Sequence, residues 1–262
     1  MPDARFQTWM ASLEERHLAV LRFAEVSRAL RALSSAYVER RDRLQSGAAL
    51  SGGGKRAAFA LCYGPLHFLT IREILGHTMT GDVRIDTVVD LGCGTGAGGA
   101  ACALALASRP IVLGVDRHHW AASEAQWTYR CFGLRGRARQ GDALKTALPV
   151  RRTVIIAGWL ANELTDDQRA LLLDRLLEAR DRGAAVLVVE PIARSIAPWW
   201  NAWARVVERA GGRTDEWRFD VALPDIVRRL DRAAGLSHTP LTARSFWLPP
   251  REAASRRSLG SG

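Results

Sequence analysis

Cysteine is scarce and badly spaced for any covalent framework. The four residues, Cys62, Cys93, Cys102 and Cys131, form no CxxC pair and no His/Cys cluster. That excludes a disulfide scaffold and gives no zinc signature, so no metal is expected from the spacing. Long apolar runs are missing as well: nothing approaches the ~18 consecutive apolar residues that a membrane-spanning helix needs. The N-terminal MPDARFQTWM lacks the basic-then-apolar order of a secretion signal. A cytoplasmic protein with no membrane partner is the expectation. Lysine is nearly absent too, because Lys55 and Lys145 are the only two among 37 basic residues.

What is present is a hydrophobic fraction of 48%, enough for a full core in 262 residues, which excludes wholesale disorder. The net charge of +10 sits mainly in the flanks, outside the glycine-rich middle. A basic balance is compatible with polyanion binding without demonstrating it.

The first third reads as helical. Phe6, Trp9, Met10, Leu13, Val20, Leu21 and Ala24 recur at three- and four-residue spacing, as on one helix face, and Leu30, Leu33 and Tyr37 read as its continuation or a second helix. SGAALSGGG at 46–54 reads as a connection. It is no phosphate loop, since Ala49 stands where the first glycine belongs and Arg56 follows Lys55. KRAAFALCYGPLHFLTIREILG reads as a further helical stretch, broken or kinked at Pro65. From Ile85 onward, short apolar runs alternate with helical segments. DTVVDLG, IVLGVD, ARQGDAL, TVIIAGW and AAVLVVEP are the expected strands, and the helix after IVLGVD begins near Ala121. Strand–helix alternation implies an α/β, doubly wound, mostly parallel sheet. EWRFDV and RSFWL add an antiparallel pair at its edge. The expected architecture is therefore a Rossmann-like seven-stranded sheet over 81–250. It carries an N-terminal helical cap at 1–80 and a disordered tail at 251–262.

The stretch VVDLGCGTGAGGA at 88–100 frames the chemistry. Gly94-x-Gly96-x-x-Gly99 satisfies the dinucleotide fingerprint, with Asp116 downstream to hold ribose hydroxyls. A pyrophosphate on the following helix N-terminus would, however, meet the carboxylate of Asp90. A cofactor with a cationic amino-acid end and no phosphate avoids that repulsion, and S-adenosylmethionine (SAM) is such a molecule. At these residues the chain resembles the class I SAM-dependent methyltransferases over about residues 82–192. The resemblance implies that Asp90, Gly92, Cys93, Gly94 and Gly96 form the first cofactor motif. It places Asp116 on the ribose, with Asp142 at the adenine amine and Arg117 and Ala143 beside the ring. Gly158 closes the cofactor set. SAM would be the methyl donor and S-adenosylhomocysteine the product.

The acceptor is harder to read, because in-line methyl transfer needs alignment first and a base only where a proton must leave. AGWLANEL at 157–164 lacks the Asn/Asp-Pro-Pro-aromatic element of enzymes that methylate base amines. No cysteine follows Cys131, which disfavours cytosine C5 chemistry, and two lysines make a poor ribose 2′-O set. Trp159, Asn162 and Glu163 are placed to line an acceptor pocket that Tyr63 and His67 could close. His67 and Glu163 are the candidate general bases. His118 and His119 are expected to border the adenine. The tryptophans of the 196–207 face (Trp199, Trp200, Trp203, with Ile196, Val206 and Val207) read as core. WLANEL, with its flanks, is similar to a methyltransferase-like family associated with the small ribosomal subunit. That family carries iron–sulfur cysteines that this chain lacks.

The function expected is methylation of an N or O nucleophile on a small aromatic or heterocyclic acceptor. The alternatives are an RNA- or ribosome-associated methyltransferase and a SAM-binding assembly factor without catalysis. A dinucleotide oxidoreductase comes last.

Overall fold

Strand–helix alternation builds a single seven-stranded sheet in the computed structural model, which describes residues 4–39, 50–79, 84–193 and 197–251. The parallel strands are β1 (Thr87–Leu91), β2 (Ile111–Asp116), β3 (Gly136–Gln140), β4 (Thr153–Gly158) and β5 (Ala185–Glu190). The edge pair β6 (Arg213–Phe219) and β7 (Leu241–Leu248) runs antiparallel, and the order is β3-β2-β1-β4-β5-β7-β6. The central strands β1, β4 and β5 read as largely apolar runs because both of their faces are covered, whereas the edge strand β3 is polar and mostly exposed. Alternate residues divide between two cores. Val88, Val112, Val154, Ile156, Leu187 and Val189 face the larger one. Val89, Leu91, Ile155, Ala157, Val186 and Val188 face the smaller.

On the larger face lie α5 (Ala97–Ala105), α6 (His119–Cys131) and α9 (Asp225–Ala234), together with the N-terminal helices. Those are α1 (Ala4–Leu18), α2 (Phe23–Glu39), α3 (Gly53–Ala58) and α4 (Gly64–Thr78). The cap shares this core. Trp9 and Phe68 both meet Phe132, at ring-centroid distances of 5.2 and 5.3 Å, and Phe6 lies 4.9 Å from Phe68. Arg16 and His17, in the last turn of α1, hold the fully buried Glu124 of α6, with His17 Nε2 at 2.7 Å. On the smaller face, α7 (Asp166–Asp181) and α8 (Trp200–Arg209) cover the sheet. Thr165 caps α7 in a reciprocal box with Gln168, as a Thr-x-x-Gln start should. Trp200 stacks on Phe246 at 3.7 Å and Trp203 is buried beside it, so this tryptophan stripe is core.

Several boundaries differ from the sequence reading. The first apolar stripe is two helices, parted at residues 19–22, where the Glu25 carboxylate accepts the Arg22 amide at 2.7 Å. The connection at 46–54 ends sooner than expected, since Gly53 and Gly54 already belong to α3. β3 starts at Gly136 and stops before Asp142, whose side chain accepts the Leu144 amide and opens a turn instead. α6 starts at His119. Pro65 does not break its helix. A π-helical turn, Phe59–Tyr63, takes up the irregularity just before it, leaving Pro65 in the first turn of α4, where its missing N–H costs nothing. The expected tail beyond Arg251, Ile196 and residues 46–49 lie outside the described residues. No helix among the described residues is long and apolar enough to cross a membrane.

Candidate functional site

Strand order reverses between β1 and β4, so the loops leaving their C-terminal ends diverge and open a crevice there. The loop after β1 contributes Gly92, Gly94 and Gly96, all at positive φ. Gly96 shows why glycine is needed. Its φ is 77°, and a Cβ would lie 2.8 Å from the Ala125 backbone and 2.9 Å from the Tyr129 ring. The loop after β4 turns at Trp159, itself at φ 55°, and runs into the short 3₁₀ turn Ala161–Glu163. The two loops meet where a Cβ on Gly92 would sit 2.8 Å from Leu160.

Asp90 stands differently from its expected role. It shares the strand face of Val88, so it points toward α5, where its carboxylate accepts the Gly99 amide at 2.8 Å and is only 3% exposed. Burial, reinforced by the nearby charge of Asp116, raises its pKa to about 7. It anchors the start of α5 and shapes the glycine loop from below. Asp116, at the end of β2, is half-buried. One of its oxygens accepts the Gly94 amide at 2.9 Å, the other the His118 amide at 2.7 Å. Each carboxylate oxygen keeps lone-pair capacity for a hydroxyl. Cys93 is buried beneath the loop, and burial pushes its thiol pKa up. Asp142 is exposed, with one oxygen on the Leu144 amide and Lys145 3.9 Å away; Ala143 is half-buried next to it.

Arg117 bridges the crevice, its guanidinium 3.2 Å from the carboxylate of Glu163. Burial nevertheless raises the Glu163 pKa to about 7, against the pull of Arg117. Gly158 ends β4, and the Trp159 amide is held by the Val189 carbonyl at 2.7 Å. Asn162 is fixed from behind by Glu190, at the end of β5. The fully buried Glu190 carboxylate accepts the Ala161 amide at 2.8 Å, the Asn162 amide at 3.3 Å and the Asn162 side-chain NH₂. Burial raises the Glu190 pKa to about 8.

The cap closes over this crevice through the π-helical turn. A Cβ on Gly94 would lie 3.3 Å from Phe59, and one on Gly64 would lie 3.1 Å from the Thr95 hydroxyl. Phe59, Tyr63, His67 and Trp159 form a run of rings. His67 stacks on Trp159 at 3.7 Å and 10°, and lies 6.1 Å from both Phe59 and Tyr63. Burial, and then the charge of His238, lower the His67 pKa to about 3. His67 is therefore neutral near pH 7 and a weak base, whereas Glu163 has a pKa suited to proton transfer at neutrality. His118 holds the position before α6 without a side-chain bond to its amides, and His119 lies in the first turn. A surface hollow of about 340 Å³ between α6 and β3, lined by His119, Gln126, Arg130 and Gln140, includes no glycine-loop residue.

The structure thus brings Tyr63, His67 and Trp159 together, and joins Glu163 to Arg117. Sequence reasoning missed Phe59, which reads as one more apolar helix residue. It also missed Glu190, whose EP ending carried no signal beyond a buried strand.

No family model and no curated protein sequence matches the chain. Among solved structures, mitomycin 7-O-methyltransferase MmcR superposes with a TM-score of 0.50 at 16% identity. The match covers 83% of this chain and 60% of that enzyme, so the chain spans less than two thirds of its length. This is the Rossmann-like methyltransferase fold. A SAM-dependent methyltransferase from Aquifex aeolicus is also similar, with a TM-score of 0.48 at 16% identity, covering 71% of this chain and 93% of that one. The N-methyltransferase NodS from Bradyrhizobium japonicum, solved with S-adenosylhomocysteine, has a TM-score of 0.48 at 13% identity, covering 71% and 86%.

The methyltransferase fold implies SAM, and the crevice suits it. The glycine loop lies against Leu160 and Phe59 of the facing elements, and each Asp116 oxygen keeps lone-pair capacity beside the amide it accepts. Two buried polar atoms there, His118 Nδ1 and Asn162 Oδ1, have no hydrogen-bond partner among the described residues, and such atoms ask for a ligand or water.

Proposed function

We propose that the protein transfers a methyl group from SAM to an N or O nucleophile of a small aromatic or heterocyclic molecule. The observation that carries this reading is the ring wall of Phe59, Tyr63, His67 and Trp159, set between the glycine loop and Glu163. Flat rings recognise flat ligands by offset stacking at low entropic cost. In this reading Gly92, Cys93, Gly94 and Gly96 supply the main-chain cradle and Asp116 accepts the ribose hydroxyls. Arg117, Asp142 and Ala143 border the adenine, and Gly158 forms the floor. When bound, SAM supplies a methyl group on a sulfonium, activated toward displacement. Trp159 and His67 orient the acceptor ring, Asn162 offers its free Oδ1 to a donor on it, and Glu163 removes the proton of the reacting hydroxyl or amine. Asp90 acts indirectly, by holding α5 under the loop.

Methyl-labelled SAM incubated with small phenols, hydroxylated heteroaromatics and heterocyclic amines tests the reading, with small ribosomal subunits in parallel. Label on a small molecule is the expected result; label on RNA alone would overturn it. The RNA reading has its own support in Arg135, Arg137 and Arg139, exposed in and beside the edge strand β3 of a chain with net charge +10. It requires RNA affinity that falls steeply with salt.

A further inference from the structure

We propose that Cys62, Asp231 and His238 form a binding site for a divalent transition-metal cation, with zinc the best match to the donors. The three come from separate parts of the fold: the π-helical turn of the cap, the last turn of α9 and the loop leading to β7. Their ligand atoms all lie within 4.8 Å of one another. Cys62 Sγ is 3.8 Å from Asp231 Oδ1, and His238 Nδ1 is 2.7 Å from that same oxygen. Around a tetrahedral zinc, with bonds of about 2.0–2.3 Å, neighbouring ligand atoms stand roughly 3.3–3.6 Å apart. The cluster therefore needs movements of a few tenths of an ångström to a little over 1 Å, centred on opening the His–Asp hydrogen bond.

The donor chemistry selects the ion. A thiolate, an imidazole and a carboxylate suit zinc and its neighbours far better than calcium or magnesium, which prefer all-oxygen shells. The surroundings suit a cation as well. Asp231 is 5% exposed, and its side chain meets the Cys62 thiol, the His238 ring and the His238 amide, with no arginine or lysine paired to it among the described residues. A buried carboxylate of that kind is costly unless it is neutralised. Binding is balanced by loss of the Cys62 thiol proton to solvent: the S–H bond breaks and a sulfur–metal bond forms, with no change of oxidation state. Three protein donors leave one position for water. The site adjoins the ring wall, since the His238 ring lies 6.2 Å from that of Tyr63. It would tie α9 to the cap at the edge of the crevice.

The test uses the full chain, freed of metal with a chelator and titrated with Co²⁺, then with Zn²⁺ in competition. The expected result is one equivalent of Co²⁺ per chain with a thiolate-to-cobalt charge-transfer band, displaced by Zn²⁺ with a rise in melting temperature. Cys62→Ser should abolish the band, and His238→Ala should weaken Zn²⁺ affinity by about two orders of magnitude. Cys102→Ser, a buried cysteine elsewhere, should change neither. The His238 side chain is 30% exposed, so its replacement should leave the fold intact by circular dichroism. Failure to bind at micromolar metal would overturn the proposal. So would binding without the thiolate band, or affinity unaltered in His238→Ala; the three residues would then be a hydrogen-bond network only.

Discussion

Asp90→Asn should stabilise the protein, and the gain should grow with pH. The Asp90 carboxyl is 3% exposed and accepts the Gly99 amide, yet burial lifts its pKa from 3.8 to about 7. The folded state thus prefers the protonated carboxyl, while the unfolded chain ionises it from pH 3.8 upward. Between those values the folded state binds the extra proton, so stability declines as pH rises through that window and levels off above about 7. At ~1.4 kcal/mol per pH unit, the interval from 3.8 to about 7 amounts to ~4 kcal/mol. Asparagine keeps an oxygen for the Gly99 amide and has no charge to bury. Its NH₂ replaces the hydroxyl of the protonated acid, so little is lost at low pH. The gain over the wild type should be ~2 kcal/mol near pH 5 and ~4 kcal/mol near pH 8. Urea unfolding at the two pH values measures this directly, and the melting temperature at the higher pH should rise by roughly 10 °C. A loss of stability at both pH values would refute the reasoning. It would mean that the ionised carboxylate is held favourably by the start of α5.

Gly96→Ala should cost ~2–5 kcal/mol, summing a left-handed backbone penalty and forced contact with Ala125 and Tyr129; a change under ~0.5 kcal/mol in chemical unfolding would contradict the loop geometry. Asp116→Ala should weaken SAM binding by about 10- to 100-fold in calorimetry, since hydrogen bonds to a charged acceptor contribute ~1.5–3 kcal/mol each. An unchanged affinity would remove Asp116 from the ribose role. If Glu163 is the base, the methylation rate should rise with pH through about 7 and level off above it, because the base acts only when ionised. Glu163→Gln should flatten that limb and lower the rate by ~100-fold. Arg117→Ala should move it to higher pH, by removing the charge that favours the ionised carboxylate.

Much of the fold was legible because parallel strands and their helices leave a coarse imprint. DTVVDLG, IVLGVD, TVIIAGW and AAVLVVEP each hold an aliphatic run, with acidic residues only at or near its ends, and their alternation with helical segments implies the doubly wound sheet. Side-chain direction was harder. Asp90 reads as a charge beside a glycine loop, and only its face, shared with Val88, shows that it points to α5 and away from the crevice. The π-helical turn was hidden because one extra residue per turn leaves no mark in an apolar stretch such as FALCY. Pro65 signalled an irregularity there without its form. Tyr63, His67 and Trp159 could be nominated by position, yet the stacking of His67 on Trp159 depends on the positive φ at Trp159, which no residue preference announces. The Cys62–Asp231–His238 cluster was beyond sequence spacing altogether. Cys62 and Asp231 lie 169 residues apart, so the scarcity of cysteine concealed a cluster that the fold assembles.

In the proposed function, the crevice at the β1–β4 switch point holds SAM. Calorimetric titration of the purified chain with SAM, and separately with NAD, tests it most directly. One SAM site per chain is expected, weakened in Asp116→Ala, with no heat from NAD. Binding of NAD in place of SAM, or of neither, would contradict it.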